Sequence, residues 1–364
     1  MKFIFLDSFD LVWNGKTARY NNGISGSHNA LMYLAEALAR DNNVELISTK
    51  NNIIEDTYLN VKYTNISSIS SVECDYIFST NWLTTLDIID RITYKKLFIL
   101  TENDLSHYDK LFTIDKNKII ICYISEFAKR NILDVQPFLK DYKSILLYNS
   151  IDLNDLVDWD DLVDSGELSL SQVLKEKTNL CYFACIERGF KMTLEILNQV
   201  DYKLYTNTYY QPYQHLLKQN NCIIAENSAK YTILNYLKKS KYFVYPLINL
   251  DNGMIHYDTF AYVVLEALLM GVVVIAPKIG VYEELYGDAV CYIETDDIIP
   301  TDDLLKWKKR NHKFGYPLVQ RYVEKIKLLD ADDNLRNSYI KKGLLLRDKF
   351  SNTNIAGVLL SYLN

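Results

Sequence analysis

Short runs of β-branched and aromatic residues recur along this chain, separated by helical patterns or polar turns. That alternation constrains the fold more than any other feature, because strands buried on both faces need helices to cover them. In the first half the runs are KFIFL (2–6), VELIS (44–48), YIFS (76–79), KLFIL (96–100), IIICYIS (119–125) and SILLY (144–148). A helix is predicted over 30–39, with Leu31, Leu34, Ala35 and Leu38 on one face. The pattern breaks at the acidic stretch 149–167 and then restarts. LCYFAC (180–185), YKLYT (202–206), CIIA (222–225), YFVYP (242–246) and VVVIAP (272–277) read as strands, and TFAYVVLEALLM (259–270) as a buried helix. A length of 364 residues suits two domains of this kind, 1–150 and 151–364. The last helix is a candidate to pack back on the first domain. Two α/β domains in tandem imply a cleft between them, the usual address for a ligand in this class.

Composition removes several functions. A net charge of −6 argues against general nucleic-acid binding. The six cysteines are scattered, and Cys181 and Cys185 lack a second pair at zinc-finger spacing, so both read as reduced core thiols. No apolar run approaches a membrane span, so the expected location is cytoplasmic, with a peripheral membrane contact left open. A dinucleotide fingerprint would follow the first strand at once, yet the glycines wait until Gly23 and Gly26. A P-loop pattern is also missing from the sequence. Nicotinamide chemistry and ordinary nucleotide hydrolysis therefore rank low among the expectations.

Three stretches carry candidate chemistry. In NNGISGSHNALMYLAEALAR (21–40), Gly23, Ser25, Gly26 and Ser27 stand where an apolar helix begins. Such a turn offers backbone N–H groups at a positive dipole end, suiting an anion or serving as a helix cap. In FACIERGFKMTLEIL (183–197), a strand runs into a turn carrying Arg188 and Gly189, with Lys191 where a helix opens. The two cations there can hold a diphosphate or stand on a solvated turn. In 256–285, Asp258 sits at the expected helix start, as a cap or a ligand, and Glu266 lies eight residues on, within the apolar body. Eight helical residues span roughly 12 Å, about a sugar plus a ribose diphosphate. Glu266 must find donors, since an unpaired buried carboxylate is strongly disfavoured. Gly280 supplies a further turn. The pairs DWD (158–160) and DAD (330–332) do not follow a hydrophobic strand and read as solvated acid, so no metal is expected. His28 reads as a helix-surface residue, with a catalytic base as the alternative because it stands near the glycine turn. The aromatic tract 205–215 reads as packing or loop, with stacking on a nucleotide base as the alternative.

The glycine turn before a Leu-Ala helix, the ERGF turn, D-x7-E running into ALLMGVVVIAP, and IGVYEE together resemble retaining glycosyltransferases of family four (glycosyl transferases group 1). CYISEFAKR (122–130) adds weaker support, and the likeness covers nearly the whole chain in order. It implies the α/β GT-B fold, two Rossmann-like domains facing a cleft, with the acceptor on the first and the donor on the second. It implies a hexosyltransferase-type enzyme using a UDP- or GDP-linked sugar as substrate and no resident cofactor. Arg188 and Lys191 would hold the diphosphate, Glu266 the ribose hydroxyls and Asp258 the sugar. The backbone of Thr259 and Phe260 would lie under the phosphates, and Ser25 and Gly26 would face the donor. Asp258, Arg188 and Lys191 would form the catalytic set, with the leaving phosphate taking the acceptor proton. The chain departs from the family in having the shorter Asp258 where Glu is usual. It also carries Asn103 where many relatives have histidine, leaving Glu102, Asp104 and His107 as first-domain candidates. The acceptor, a glycan, lipid or protein, is not fixed by this resemblance. A sugar-nucleotide epimerase or hydrolase of the same fold, or a GT-B-like nucleotide-sugar-binding protein of weak activity, are the alternatives.

Overall fold

From Phe3 to Leu6 the first run contains no polar side chain, a composition suited to a strand covered on both faces. In the computed structural model it is β1 (Lys2–Asp7), with Phe3, Ile4, Phe5 and Leu6 fully buried. The structure describes residues 1–10, 12–21, 23–159, 177–207, 217, 221–225, 229–250, 253–295 and 315–363. The chain divides into two units, one of Met1–Leu153 with Asp348–Asn364 and one of Asn154–Arg347. Among the described residues no helix is long and apolar enough to cross a membrane.

In the first unit the strands after β1 are β2 (Asn43–Ser48), β3 (Asp56–Tyr58), β4 (Val61–Asn65), β5 (Val72–Glu73), β6 (Tyr76–Thr80), β7 (Ile92–Thr93), β8 (Lys96–Thr101), β9 (Ile119–Tyr123) and β10 (Lys143–Leu146). Eight of them form one sheet in the order β10-β9-β8-β6-β1-β2-β4-β3, and β5 pairs with β7. Only β3 runs antiparallel to its neighbour in that sheet. Chain order reverses between β1 and β6, so the crevice beyond their carboxyl ends is a switch point for ligands. The helix Gly26–Leu38 buries Leu31, Leu34, Ala35 and Leu38, the face its periodicity predicts. The helix Asn352–Leu363 packs against it. A short helix, Gly15–Tyr20, carries the buried Arg19, whose guanidinium meets Glu36 at 2.8 Å through both Nη1 and Nη2. This bidentate pair ties the two helices on either side of the glycine turn.

The second unit carries β11 (Asn179–Tyr182), β12 (Leu204–Thr206), β13 (Cys222–Ile224), β14 (Ser240–Val244), β15 (Val273–Pro277) and β16 (Cys291–Ile293). They form an all-parallel sheet in the order β13-β12-β11-β14-β15-β16. Its switch point lies between β11 and β14. The apolar helix is buried as expected but runs Tyr262–Leu269, three residues shorter at its start than the sequence pattern suggests. Asp258 therefore does not cap it; Ala261 holds the cap position, without a side-chain bond. Cys185 also departs from expectation: it is exposed, because the chain has already left β11 and entered the turn.

Candidate functional site

The turn after β11 is built to bring Arg188 to the switch point. Residues Ile186–Arg188 form a single 3-10 turn, and Gly189 follows with φ at +108°, a conformation that disfavours any side chain. A Cβ on Gly189 would lie 2.9 Å from Cβ of Pro246, which follows β14. The Arg188 carbonyl accepts from Leu247 N at 2.9 Å, locking the two loops together. Gly189→Ala should therefore lower stability by about 1–2 kcal/mol or more, read as a fall in melting temperature. An unchanged melting temperature would mean that the two loops have room to separate.

Arg188 Nη1 ion-pairs with Asp258 Oδ1 and donates to the Tyr245 hydroxyl at 3.1 Å. Asp258 is almost fully buried, and its Oδ2 accepts from the Tyr282 hydroxyl at 2.7 Å. Burial pushes the Tyr245 phenol up to about 12 and that of Tyr282 well above its ordinary value, so both remain neutral. They fix the pair; they do not take protons from it. Arg188 is about a third exposed (35%). Among the described residues its Nε and Nη2 N–H groups make no hydrogen bond, so three of its five donors are open to another ligand there. Lys191 stands half-buried in the first turn of the helix Phe190–Leu197. Thr259 and Phe260 bridge Asp258 to the Tyr262–Leu269 helix. Gly280 has φ at +66°, and a Cβ there would meet the Asp258 carbonyl at 3.2 Å.

Glu266 is buried, and Lys230, at the start of the helix Lys230–Lys238, ion-pairs with its Oε1. Burial raises the Glu266 pKa, and the Lys230 charge opposes that rise. Among the described residues no donor reaches Oε2. Only Tyr262 to Glu266 of the predicted eight-residue span is helical, a rise of roughly 6 Å. At the end of β12, Thr206 and Asn207 are buried, and among the described residues Thr206 Oγ1 and Asn207 Oδ1 have no hydrogen-bond partner. Orphaned polar atoms of this kind are rare in a folded chain. Lys230 and Tyr245 carry no signal in a local motif, while Tyr282 lies within IGVYEE and Thr206 and Asn207 within the aromatic tract, none of them marked there as a polar ligand.

The first unit gathers a second polar cluster at the carboxyl edge of its sheet. Ser25 caps the Gly26–Leu38 helix in backbone conformation only; its Oγ lies 2.5 Å from His28 Nδ1. His28 Nε2 lies 3.1 Å from Oδ1 of the buried Asp7, at the end of β1. Ser27 hydrogen-bonds Glu102, after β8, whose other oxygen accepts from Asn149 at 3.2 Å. Of the three first-domain candidates only Glu102 joins this cluster. Asp104 is exposed, and His107 opens a separate 3-10 turn with φ at +53°.

Burial raises the Glu102 pKa, against hydrogen bonds from Ser27 and Asn149 and the influence of His28. A carboxyl whose pKa is higher folded than unfolded binds its proton more tightly in the folded state. Stability is thus lost as pH rises from about 4.3 through the folded value. Glu102→Gln should lose less melting temperature between pH 4 and 7 than the wild type. An equal loss in both proteins would remove Glu102 as its source.

Among the described residues no group of three or more His, Cys, Asp or Glu is placed to hold a metal ion. Asp330 is occupied by the Tyr202 and Tyr242 hydroxyls and Lys241, and Asp332 caps the helix Asp333–Leu344. Asp160, His215, His312 and most of the aromatic tract lie outside the described residues.

No family model matches this sequence, and no curated protein matches it. Solved structures do. Sucrose-phosphate synthase from Thermosynechococcus elongatus superposes with a TM-score of 0.64 at 11% identity, covering 100% of this chain and 98% of that one. HepE from Anabaena, in complex with UDP-glucose, gives 0.61 at 13% identity, covering 100% and 99%. WaaG, a glycosyltransferase involved in lipopolysaccharide biosynthesis, gives 0.57 at 11%, covering 100% and 99%. At such identities the likeness is one of fold. With its two parallel-sheet units in one chain, the protein has the GT-B fold.

Proposed function

We propose that the protein is a glycosyltransferase that moves a sugar from a UDP- or GDP-linked donor to an acceptor with retention of configuration. The observation that carries this reading is the Arg188–Asp258 pair at the switch point of the second unit, with donors of Arg188 left unused among the described residues. A diphosphate would take those donors, joined by Lys191 and the amino end of the Phe190–Leu197 helix. Glu266 Oε2 would accept from a ribose hydroxyl, and Thr206 and Asn207 offer polar atoms to the base. Asp258 would meet the sugar, and the Thr259–Phe260 backbone would lie beneath the phosphates. That HepE was solved with UDP-glucose is in keeping with a nucleotide-sugar ligand.

In this arrangement the protein stabilises charge on the leaving diphosphate and positions the sugar. As the anomeric carbon–oxygen bond breaks, the acceptor oxygen bonds from the same face, and its proton passes to the departing phosphate. The test is incubation with a panel of UDP- and GDP-sugars and acceptors, with the product's anomeric configuration read by NMR. A product of inverted configuration would refute retention; donor release without any transferred product would favour a hydrolase.

Transfer should also survive excess chelator, keeping about half its rate or more, because cationic side chains face the leaving group. Complete loss of activity in chelator, restored by Mn²⁺ or Mg²⁺, would overturn this expectation.

A further inference from the structure

Asp7, His28 and Ser25 form a hydrogen-bonded line at the carboxyl edge of the first unit's sheet, and the sugar-transfer reading uses only Ser25 of the three, as a residue facing the donor. Asp7 is held from three sides: Oδ2 accepts from Trp13 Nε1 at 3.2 Å and from Phe9 N at 3.3 Å, while Oδ1 faces His28 Nε2 at 3.1 Å. The ring of Phe9 lies against the imidazole, with centroids 3.8 Å apart. A carboxylate accepts only, so Nε2 carries the proton and Nδ1 presents its lone pair to Ser25 Oγ at 2.5 Å.

Ser25 is unusual for a residue at this position. A serine preceding a helix ordinarily gives its oxygen to an amide of the first turn. Here it makes no such bond and pairs with His28 instead, while remaining exposed. The amides of Gly26, Ser27 and His28 lie in that first turn, where no carbonyl of the same helix can reach them. An exposed hydroxyl, an imidazole oriented by a buried carboxylate and a set of helix-end amides stand side by side.

We propose that Ser25 is an activated nucleophile, and that this site takes activated acyl esters. Ser25 Oγ attacks the acyl carbon as its proton moves to His28 Nδ1, and the oxyanion is met by the first-turn amides. Collapse breaks the ester carbon–oxygen bond, and the leaving alcohol carries away the proton held by His28. Water then repeats the sequence on the acyl-serine, releasing the acid and restoring Ser25. The inference shares Ser25 with the sugar-transfer reading, but its labelling test needs no nucleotide sugar, so either can fail without the other.

The probes are a fluorophosphonate, for covalent capture, and p-nitrophenyl acetate, for turnover, both applied to the full chain. Peptide mass spectrometry should find the phosphonate on Ser25, with none on Ser25→Ala. His28→Gln should slow labelling ~100-fold, and Asp7→Asn should slow it less severely. Should Asp7→Asn fail to fold, as its melting curve will reveal, His28→Gln carries the test alone, since that side chain sits near the surface. Labelling absent from Ser25 in the wild type, or proceeding equally fast in a folded His28→Gln protein, overturns the proposal. p-Nitrophenyl acetate should turn over beyond one equivalent in the wild type; a rate unchanged in Ser25→Ala overturns it as well.

Discussion

Arg188→Ala should weaken the binding of nucleoside diphosphates by ~30-fold or more, about 2 kcal/mol. The guanidinium is the cation at the second unit's switch point whose geometry is fixed on both sides. The Arg188 main-chain carbonyl anchors the loop after β14, while Nη1 is held by Asp258 and Tyr245. The substitution acts on stability too. Asp258 has a side chain only 1% exposed and, among the described residues, would keep only the Tyr282 hydroxyl. Breaking a buried pair from one side typically costs about 3–5 kcal/mol, and the partial exposure of Arg188 places this one at or below the lower end. Affinity must therefore be measured well below the variant's melting temperature. Arg188→Lys separates the two effects: it keeps the charge beside Asp258 but loses the planar fork. It should recover much of the stability and little of the affinity. Calorimetry giving unchanged affinity for folded Arg188→Ala would exclude this side chain from the site.

Glu266→Gln and Asp258→Asn should fail in different ways. The wild type should prefer a ribonucleotide over its 2′-deoxy analogue by ~10-fold, and Glu266→Gln should erase most of that preference. A general loss of packing would weaken both nucleotides alike, so the ratio is the informative quantity. Because Gln leaves Lys230 buried without its counter-charge, Lys230→Met combined with Glu266→Gln serves as the control for stability. Asp258→Asn should lower turnover ~100-fold while bare diphosphate binds within a few-fold of the wild type. Should the 2′-deoxy preference persist in Glu266→Gln, the ribose assignment fails. Should Asp258→Asn turn over normally, the carboxylate is structural, serving only to hold Arg188 and Tyr282.

The parallel sheets were legible because their strands are nearly unbroken apolar runs, KFIFL and VVVIAP above all. The β3–β4 hairpin was not. Its turn places Leu59 and Asn60 at φ of 47° and 63°, and leucine gives no signal for a left-handed turn. The start of the Tyr262–Leu269 helix is hidden in the sequence because apolar residues continue through Phe260 and Ala261, masking the irregular segment that carries Asp258. Arg188, Lys191, Asp258 and Glu266 stood out by local context, a cation beside glycine or an acid among aliphatics. Their partners did not. Lys230 lies 36 residues from Glu266, and Tyr245 lies 57 from Arg188, separations that only strand order brings together. The same holds for Asp7 and His28, joined when the helix after the glycine turn packs above β1.

Titration calorimetry of UDP and GDP against the wild-type protein tests most directly whether the second unit holds a nucleotide-sugar site. One of the two should bind at a single site per chain, its nucleotide sugar should compete for that site, and Arg188→Ala should abolish the heat at the same concentrations. Absence of binding by both nucleotides to the folded wild-type protein, or binding equally strong in Arg188→Ala, would contradict it.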